Sequence, residues 1–336
     1  MTRGTGAGDD VGSGGGTSGD VLVLRALGLG DAATGVAALR GVRRAWPDRR
    51  LVLAAPVPVG QWLLRLGLVD AVVDHSGVSP LAWSGTGHVA VNLHGRGPQS
   101  HRALLETEPA QLVAFACPAA GHTEGPRWRA EEHEVDRWCR LVRWAGGTCD
   151  PEDLRLPAST APRTGQVVVH PGAASGARRW PVERWAWLVG RLAVAGHPVV
   201  VTGGPGEHLL CEQVAAPARS AGACVRTAAG SLDLASLTSL VARARLVVCG
   251  DTGVAHLATA TATPSVLLFG PTPPQWWGPA IDRPLHTVLW HGTGPGDPHA
   301  AEVDPALAAI TQEEVLQAVV EQLSQEPATS SAAAPR

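Results

Sequence analysis

The sequence predicts an α/β protein in which two doubly wound parallel sheets follow one another along the chain. Three observations predict this fold class. Short apolar runs alternate with segments of helical periodicity, which is the pattern of a parallel sheet covered by helices. The alternation stops at a stretch rich in Pro, Gly and Thr and then restarts. The length of 336 residues suits two domains of ordinary size.

The predicted organisation has five segments. Residues 1–20 are rich in Gly, Ser and Thr and lack the basic start and apolar middle of a signal peptide, so they predict a disordered tail. Residues 21–150 form the first domain, 151–166 the linker and 167–325 the second domain. Residues 326–336, rich in Ala, Ser and Pro, predict a loose tail.

In the first half, five apolar runs read as buried strands and three segments as helices. The spacing of Val36, Leu39, Val42 and Trp46 predicts a helix that Pro47 ends. The predicted strands are 21–25, 51–55, 71–74, 88–93 and 112–115, and the predicted helices are 36–46, 61–66 and 131–144.

In the second half, the strands are again short and apolar and each is followed by a helical segment. The predicted strands are 167–169, 198–202, 224–226, 246–249 and 265–269, and the predicted helices are 182–195, 207–216, 233–242, 254–260 and 311–323. Ligands of such sheets bind outside the carboxyl ends of the strands. Two such domains facing across a cleft are therefore expected.

Composition excludes several classes of protein. Hydrophobic residues make up 45% and charged residues 17%, as in a globular protein. The net charge of −3 gives no general reason to bind nucleic acid or an anionic membrane. No apolar stretch is long enough for a spanning helix. The six cysteines form no CxxC pair, which predicts reduced, packed thiols in a cytoplasmic protein.

The first motif, Gly28-Leu29-Gly30-Asp31, follows the first predicted strand. With Ala33 it satisfies G-x-G-x-x-A, but the second strand ends in Ala54-Ala55-Pro56 without the acid that a dinucleotide site expects, which argues against NAD. Two interpretations stay open. Asp31 either caps a helix after a tight turn or serves as a general base at the cleft floor.

The second motif runs from His170 to Pro181 and combines a strand end, small residues, two arginines and a helix start. Exposed backbone amides and the guanidinium groups of Arg178 and Arg179 suit a diphosphate, with Ser175 and Trp180 beside them. A solvated arginine pair beside a helix start is the alternative.

Two further motifs end strands of the second half. Glu207 follows Gly203-Gly204-Pro205-Gly206 and either serves a helix dipole or accepts hydrogen bonds from ribose hydroxyls. Asp251, Thr252 and Gly253 open a helix whose terminus attracts phosphate, and His256 lies one turn further. A packed histidine is the alternative for His256.

Taken in order, these motifs resemble glycosyltransferase family 9, the ADP-heptose–lipopolysaccharide heptosyltransferases and their relatives. The resemblance covers about residues 20–325. It is carried by the segments 21–39, 170–181, 202–207, 251–258, 268–272 and 277–279. It implies a GT-B fold and an inverting transfer that needs no metal or other cofactor.

The resemblance also implies roles for particular residues. Asp31 matches the family's proposed base. Arg178 or Arg179 lies where the family places a cation near the donor phosphates, and Glu207 matches an acid on the donor ribose. The donor-binding segment around the sugar and diphosphate is matched by Asp251, Thr252, Gly253 and His256.

The resemblance implies as partners a nucleotide sugar, ADP-heptose by analogy, and a glycan, glycolipid or other hydroxyl acceptor. The chain departs from the family at Asn92, where the fourth strand usually ends in an acid. Beyond it, His94 and Arg96 lie in the expected acceptor region together with Gly30. The alternative for His94 and Arg96 is that they are solvated loop residues without a role in binding. A lipid-borne acceptor would require peripheral docking at the inner face of the plasma membrane.

Three rival functions remain from the residues alone. A nucleotide-sugar epimerase or hydrolase would use the same fold, a non-catalytic module would bind the sugar nucleotide without turnover, and an NAD oxidoreductase would use the Gly28 turn. Lack of Asp-x-Asp removes the familiar carboxylate pair that holds a divalent ion on a diphosphate. Arginine and helix-terminal amides are then expected to stabilise the leaving group.

Overall fold

A computed structural model describes residues 19–157, 159 and 161–325. The two predicted tails lie outside the described residues, apart from positions 19 and 20. By its internal contacts the chain divides into two compact units. Among described residues, the first unit comprises 19–28, 38–128 and 138–149, and the second comprises 29–37, 129–137 and 150–325.

Apolar, mostly β-branched runs form the strands of the first unit because they are buried on both faces of a parallel sheet. The strands are β1 (Val21–Leu24), β2 (Leu51–Ala55), β3 (Ala71–Asp74), β4 (Val89–Asn92) and β5 (Gln111–Val113). All pairings are parallel in the order β3-β2-β1-β4-β5, with Val21 opposite both Leu51 and Val89. Residues of β1, β2 and β4 line a core that Leu104 completes.

The helices of the first half were predicted in part. They are α1 (Leu29–Thr34), α2 (Val36–Ala45), α3 (Val57–Arg65), α4 (Gln99–Leu105) and α5 (Glu134–Trp144). Helices α1 and α4 were not predicted. Helix α4 starts after Pro98, in a stretch that the sequence suggested was a loop. Its His101 is buried, with Nδ1 3.0 Å from the Asn92 side-chain nitrogen and Nε2 2.8 Å from the Phe115 carbonyl.

The second unit contains six parallel strands in the order β11-β10-β9-β6-β7-β8. They are β6 (Val167–His170), β7 (Val199–Val201), β8 (Val225–Thr227), β9 (Leu246–Gly250), β10 (Ser265–Leu268) and β11 (His286–Leu289). The helices that follow them are α6 (Val182–Val194), α7 (His208–Ser220), α8 (Leu234–Arg243), α9 (Gly253–Ala260), α10 (Pro274–Trp277), α11 (Pro305–Ala309) and α12 (Gln312–Ser324). The edge strand β11 and the short helices α10 and α11 were not predicted.

Two parallel-sheet α/β units confirm the predicted fold class. A large core lies between the second sheet and helices α6, α7 and α12, and it includes Trp180, Trp185 and Ile310. One feature of the division matters for function. Residues Leu29–Ala37, which include α1, belong to the second unit although they follow the first strand of the first unit.

Candidate functional site

Helix α1 brings Asp31 to the motif that opens helix α9, and both helices belong to the second unit. Asp31 lies in the first turn of α1 and is half-buried. Two glycines allow the helices to approach. A β-carbon on Gly30 would lie 3.1 Å from Cδ2 of His256, and one on Gly253 would lie 2.9 Å from Cβ of Leu29. The Gly28–Asp31 motif therefore builds a helix–helix contact as well as a turn.

The turn between β9 and α9 holds the predicted donor residues Asp251 and Thr252. Thr252 occupies the N-cap position in an extended conformation, with φ −143° and ψ 172°, and Gly253 is the first helical residue. The first amides of a helix have no partner within it, and the dipole adds positive potential. This turn can therefore receive an anion, as the sequence predicts. His256 is buried one turn into α9.

Asp251 is buried, and its surroundings act on its charge in opposite directions. The pKa of Asp251 is raised to about 6, chiefly by burial, and the charge of Asp31 acts in the same direction. The Arg178 cation and a hydrogen bond from Thr272 oppose this rise. Asp31, Asp251 and Arg178 therefore lie near enough to interact electrostatically.

The loop after β6, residues 172–180, is here named the donor loop. Arg178 is half-buried in it, and its Nη1 donates to the Asp251 carbonyl at 3.3 Å while its Nε lies 3.4 Å from Ser175 Oγ. Arg179 is exposed, and its Nε donates to the Ala173 carbonyl at 2.9 Å. Of the two arginines, Arg178 is the one that the fold brings to Asp251.

Trp180 lies in the core of the second unit and is 3% exposed. Its indole N–H donates to the Ile310 carbonyl at 3.0 Å, and its ring meets Trp185 edge-on with 4.9 Å between centroids. The donor contact predicted for Trp180 is therefore replaced by a packing role, because a ring enclosed by protein offers no face to a ligand.

Glu207 precedes helix α7 and lies at the ends of β6 and β7. Its carboxylate accepts a hydrogen bond from the Gly204 amide at 2.7 Å. A β-carbon on Gly172 would lie only 2.2 Å from Glu207 Oε1, so the carboxylate packs directly on the donor loop. His170 Nδ1 lies 2.9 Å from Thr202 Oγ1 beside it. Burial lowers the pKa of His170, while the Glu207 charge acts in the opposite direction.

The predicted acceptor-side residues fall in different units. His94 and Arg96 belong to the first unit and Gly30 to the second. His94 Nδ1 accepts a hydrogen bond from the Ala26 amide at 3.2 Å, and burial, followed by the charges of Arg25 and His75, lowers the pKa of His94 to about 4. The imidazole is thus neutral at physiological pH. Arg96 is exposed.

Two residues join the site beyond those assigned to it from the sequence. The Thr272 side chain hydrogen-bonds to Asp251, and the Trp277 ring lies 5.8 Å from the His256 ring at an interplanar angle of 60°. Both stand in segments that carried the family resemblance. The resemblance was the signal that could have found them.

Within residues 19–157, 159 and 161–325, no group of three or more His, Cys, Asp or Glu side chains could hold a metal ion. None of the helices in this described part of the chain has the length and apolar character needed to cross a membrane.

The fold and the site define the class of protein first. Two parallel-sheet α/β units, with a helix N-terminus suited to an anion after a strand of the second sheet, are the features expected of a GT-B fold. A sequence model of glycosyltransferase family 9 (heptosyltransferase) matches residues 129–295. Over this region the chain is similar to glycosyltransferase family 9.

Curated relatives agree with this assignment. Lipooligosaccharide heptosyltransferase 2 of Haemophilus influenzae is 34% identical over 116 residues, which cover 34% of this chain and 33% of the relative. Lipopolysaccharide heptosyltransferase 2 of Salmonella typhimurium is 32% identical over 161 residues, 46% of each chain. The chain thus spans less than half the length of these curated relatives.

Solved structures match nearly the whole fold. A glycosyl transferase family 9 protein from Veillonella parvula has a TM-score of 0.72 at 18% identity, covering 91% of this chain and 97% of that one. E. coli ADP-heptose lps heptosyltransferase II has a TM-score of 0.72 at 19% identity, covering 90% and 98%. At these identities the likeness concerns the fold.

Proposed function

We propose that the chain is an inverting, metal-independent glycosyltransferase that transfers heptose from ADP-heptose to a hydroxyl of a glycan or glycolipid. The observation that carries the proposal is the packing of α1 on α9, which places Asp31 beside the Asp251–His256 turn. The match of residues 129–295 to the family model supports sugar transfer. The names of the relatives support heptose as the sugar and ADP as the carrier.

In the proposed mechanism, Asp31 takes the proton of the acceptor hydroxyl as its oxygen attacks the anomeric carbon. The bond from that carbon to the diphosphate oxygen breaks in the same displacement, so the anomeric configuration inverts. Negative charge grows on the leaving diphosphate. The Arg178 guanidinium and the first amides of α9 supply positive potential there, and preorganised donors of this kind are usually the largest catalytic contribution.

We assign the remaining donor residues by their placement. Glu207 takes the ribose hydroxyls, since its carboxylate lies at the sheet edge beside the donor loop. Thr252, Gly253 and His256 contact the sugar and diphosphate. Ser175 accepts a hydrogen bond from Arg178. The acceptor region includes His94 and Arg96. The reaction takes place in the cytoplasm, with peripheral contact to the inner membrane face where the acceptor is lipid-borne.

The test is the Asp31→Asn variant, assayed with ADP-heptose and a panel of glycan and glycolipid acceptors. Removing a general base lowers turnover by about 100-fold or more. Affinity for ADP, measured by calorimetry, should stay nearly unchanged. The control is Asp48→Asn, since Asp48 is an exposed residue outside these motifs. NMR of the product gives its anomeric configuration.

Two outcomes contradict the proposal. Normal turnover of Asp31→Asn would remove Asp31 as the base. Release of free or isomerised sugar by the wild type without any acceptor would indicate an epimerase or hydrolase instead.

A further inference from the structure

The donor loop is hydrogen-bonded to residues 298–301, which lie between β11 and α11 in the same unit. The Pro298 carbonyl accepts a hydrogen bond from Ser175 Oγ at 2.5 Å, and the Ala300 carbonyl accepts one from the Ala177 amide at 3.0 Å. The Ala177 carbonyl in turn accepts from the Asp304 amide at 3.2 Å. The two segments are thus joined by main-chain and side-chain hydrogen bonds.

Gly176 lies at the tightest point of this contact. A β-carbon at this position would fall 1.6 Å from the Ala301 carbonyl oxygen. Real β-carbons do not approach a carbonyl oxygen so closely, because atoms in protein interiors are already close-packed. Any side chain on Gly176 must therefore push the donor loop and residues 298–301 apart.

Ser175 connects this contact to Arg178. The Ser175 hydroxyl has one proton, which it donates to Pro298, so its oxygen is left to accept from Arg178 Nε at 3.4 Å. Arg178 Nη1 is held on the other side by the Asp251 carbonyl. A continuous set of hydrogen bonds therefore runs from residue 298 to the Arg178 guanidinium and on to the β9–α9 turn.

The preceding residues also touch the loop that follows β10. The Gly296 amide donates to the Pro271 carbonyl at 2.8 Å, one residue before Thr272. Thr272 is the residue that hydrogen-bonds to Asp251. The stretch 296–301 thus contacts two loops that carry the partners of Asp251.

We propose that residues 298–301 are a positioning element that fixes Arg178 for the donor diphosphate, acting through Ser175 and Gly176. The inference rests on the proposed function, because it takes Arg178 as a diphosphate ligand. Ser175 is then a positioning residue rather than a ligand of the donor. In this proposal residues 298–301 act through the hydrogen bonds that they accept from the donor loop.

The first test is Gly176→Ala, with ADP as the probe in calorimetric titrations. Displacing a charged hydrogen-bond donor from a phosphate should weaken ADP binding by about tenfold or more. The matched control is Gly165→Ala, at an exposed residue outside the site motifs where a β-carbon has open space, and it should bind ADP as the wild type does. Equal affinity of Gly176→Ala and wild type would overturn the inference.

The second test keeps the inference falsifiable if Gly176→Ala fails to fold. Ser175→Ala removes the hydroxyl that links Pro298 to Arg178, whereas Ser175→Thr retains it. We expect weaker ADP binding in Ser175→Ala and recovery in Ser175→Thr, at similar melting temperatures. If Ser175→Ala lowers the melting temperature but binds ADP as the wild type does, the hydroxyl has only a structural role and the proposal is overturned.

The two proposals fail in different ways. Wild-type protein that binds ADP but transfers no sugar contradicts the proposed function, while the ADP affinities of the variants still decide the positioning role. Wild-type protein that binds no ADP overturns both.

Discussion

The carboxylate of Glu207 occupies the space that a β-carbon on Gly172 would need, with Oε1 only 2.2 Å from that position. One residue comes from the loop after β6 and the other from the bend after β7, and these strands are neighbours in the sheet. The missing side chain at Gly172 therefore sets where the acid lies. If Glu207 takes the ribose hydroxyls, the glycine is as necessary for binding as the acid.

Gly172→Ala tests this relationship. The new methyl group should displace the Glu207 carboxylate and weaken ADP binding by about tenfold, since hydrogen bonds to a charged group contribute about 1.5–3 kcal/mol. Calorimetry with ADP measures the effect, and Gly165→Ala is again the control. Unchanged ADP affinity in Gly172→Ala would contradict the assignment of Glu207 as the ligand of the ribose hydroxyls.

Asp251 predicts an unusual dependence of stability on pH. The pKa of its carboxyl is raised to about 6 in the folded protein, above the usual value of 3.8. The native state therefore holds a proton that the unfolded state has already lost between these values, so this group's contribution falls as pH rises from about 4 to 6. Two pKa units correspond to at most about 3 kcal/mol.

The Asp251→Asn variant removes this contribution. The measurement is urea unfolding of wild type and variant between pH 4 and 7.5. The difference between the two is needed because His94 and His286, whose pKa values are lowered to about 4, act in the opposite sense over the same range. The variant should gain stability relative to the wild type as pH rises. A difference that is constant with pH would contradict the raised pKa.

Trp180→Phe separates packing from ligand binding. The substitution removes the indole hydrogen bond to Ile310 and some buried volume, and should cost about 1–3 kcal/mol of unfolding free energy. ADP affinity should not change. Trp144→Phe, at a 45% exposed residue, is the control and should alter stability by less than about 0.5 kcal/mol. Loss of ADP binding without a change in stability would indicate that Trp180 contacts the donor.

Much of the fold was predictable because its strands are short apolar runs between turn residues. Strand β2 begins and ends where the sequence indicated, and β9 extends one residue further, to Gly250. Helix α1 was missed because Gly28 and Gly30 read as a turn. Its stability depends on packing against α9, and no local pattern in the sequence reports that contact.

The site was predictable to the extent that it lies at strand ends. Arg178, Glu207 and Asp251 each follow a strand of the second sheet, and the carboxyl ends of parallel strands in one sheet meet at the same edge. Trp180 could not be assigned in this way, because an aromatic beside two arginines suits a ligand and a core equally. The neutral state of His94 was also beyond the sequence, since it arises from burial and from Arg25 and His75.

Grouping of Leu29–Ala37 with the second unit has a consequence for protein engineering. A chimera that exchanges the C-terminal half between relatives at residue 150 would separate α1 from the helix on which it packs. In each such hybrid, Asp31 and the rest of α1 would pack against an α9 helix from a different parent protein. Recombination between related enzymes should therefore preserve activity only when residues 29–37 come from the same parent as the C-terminal half.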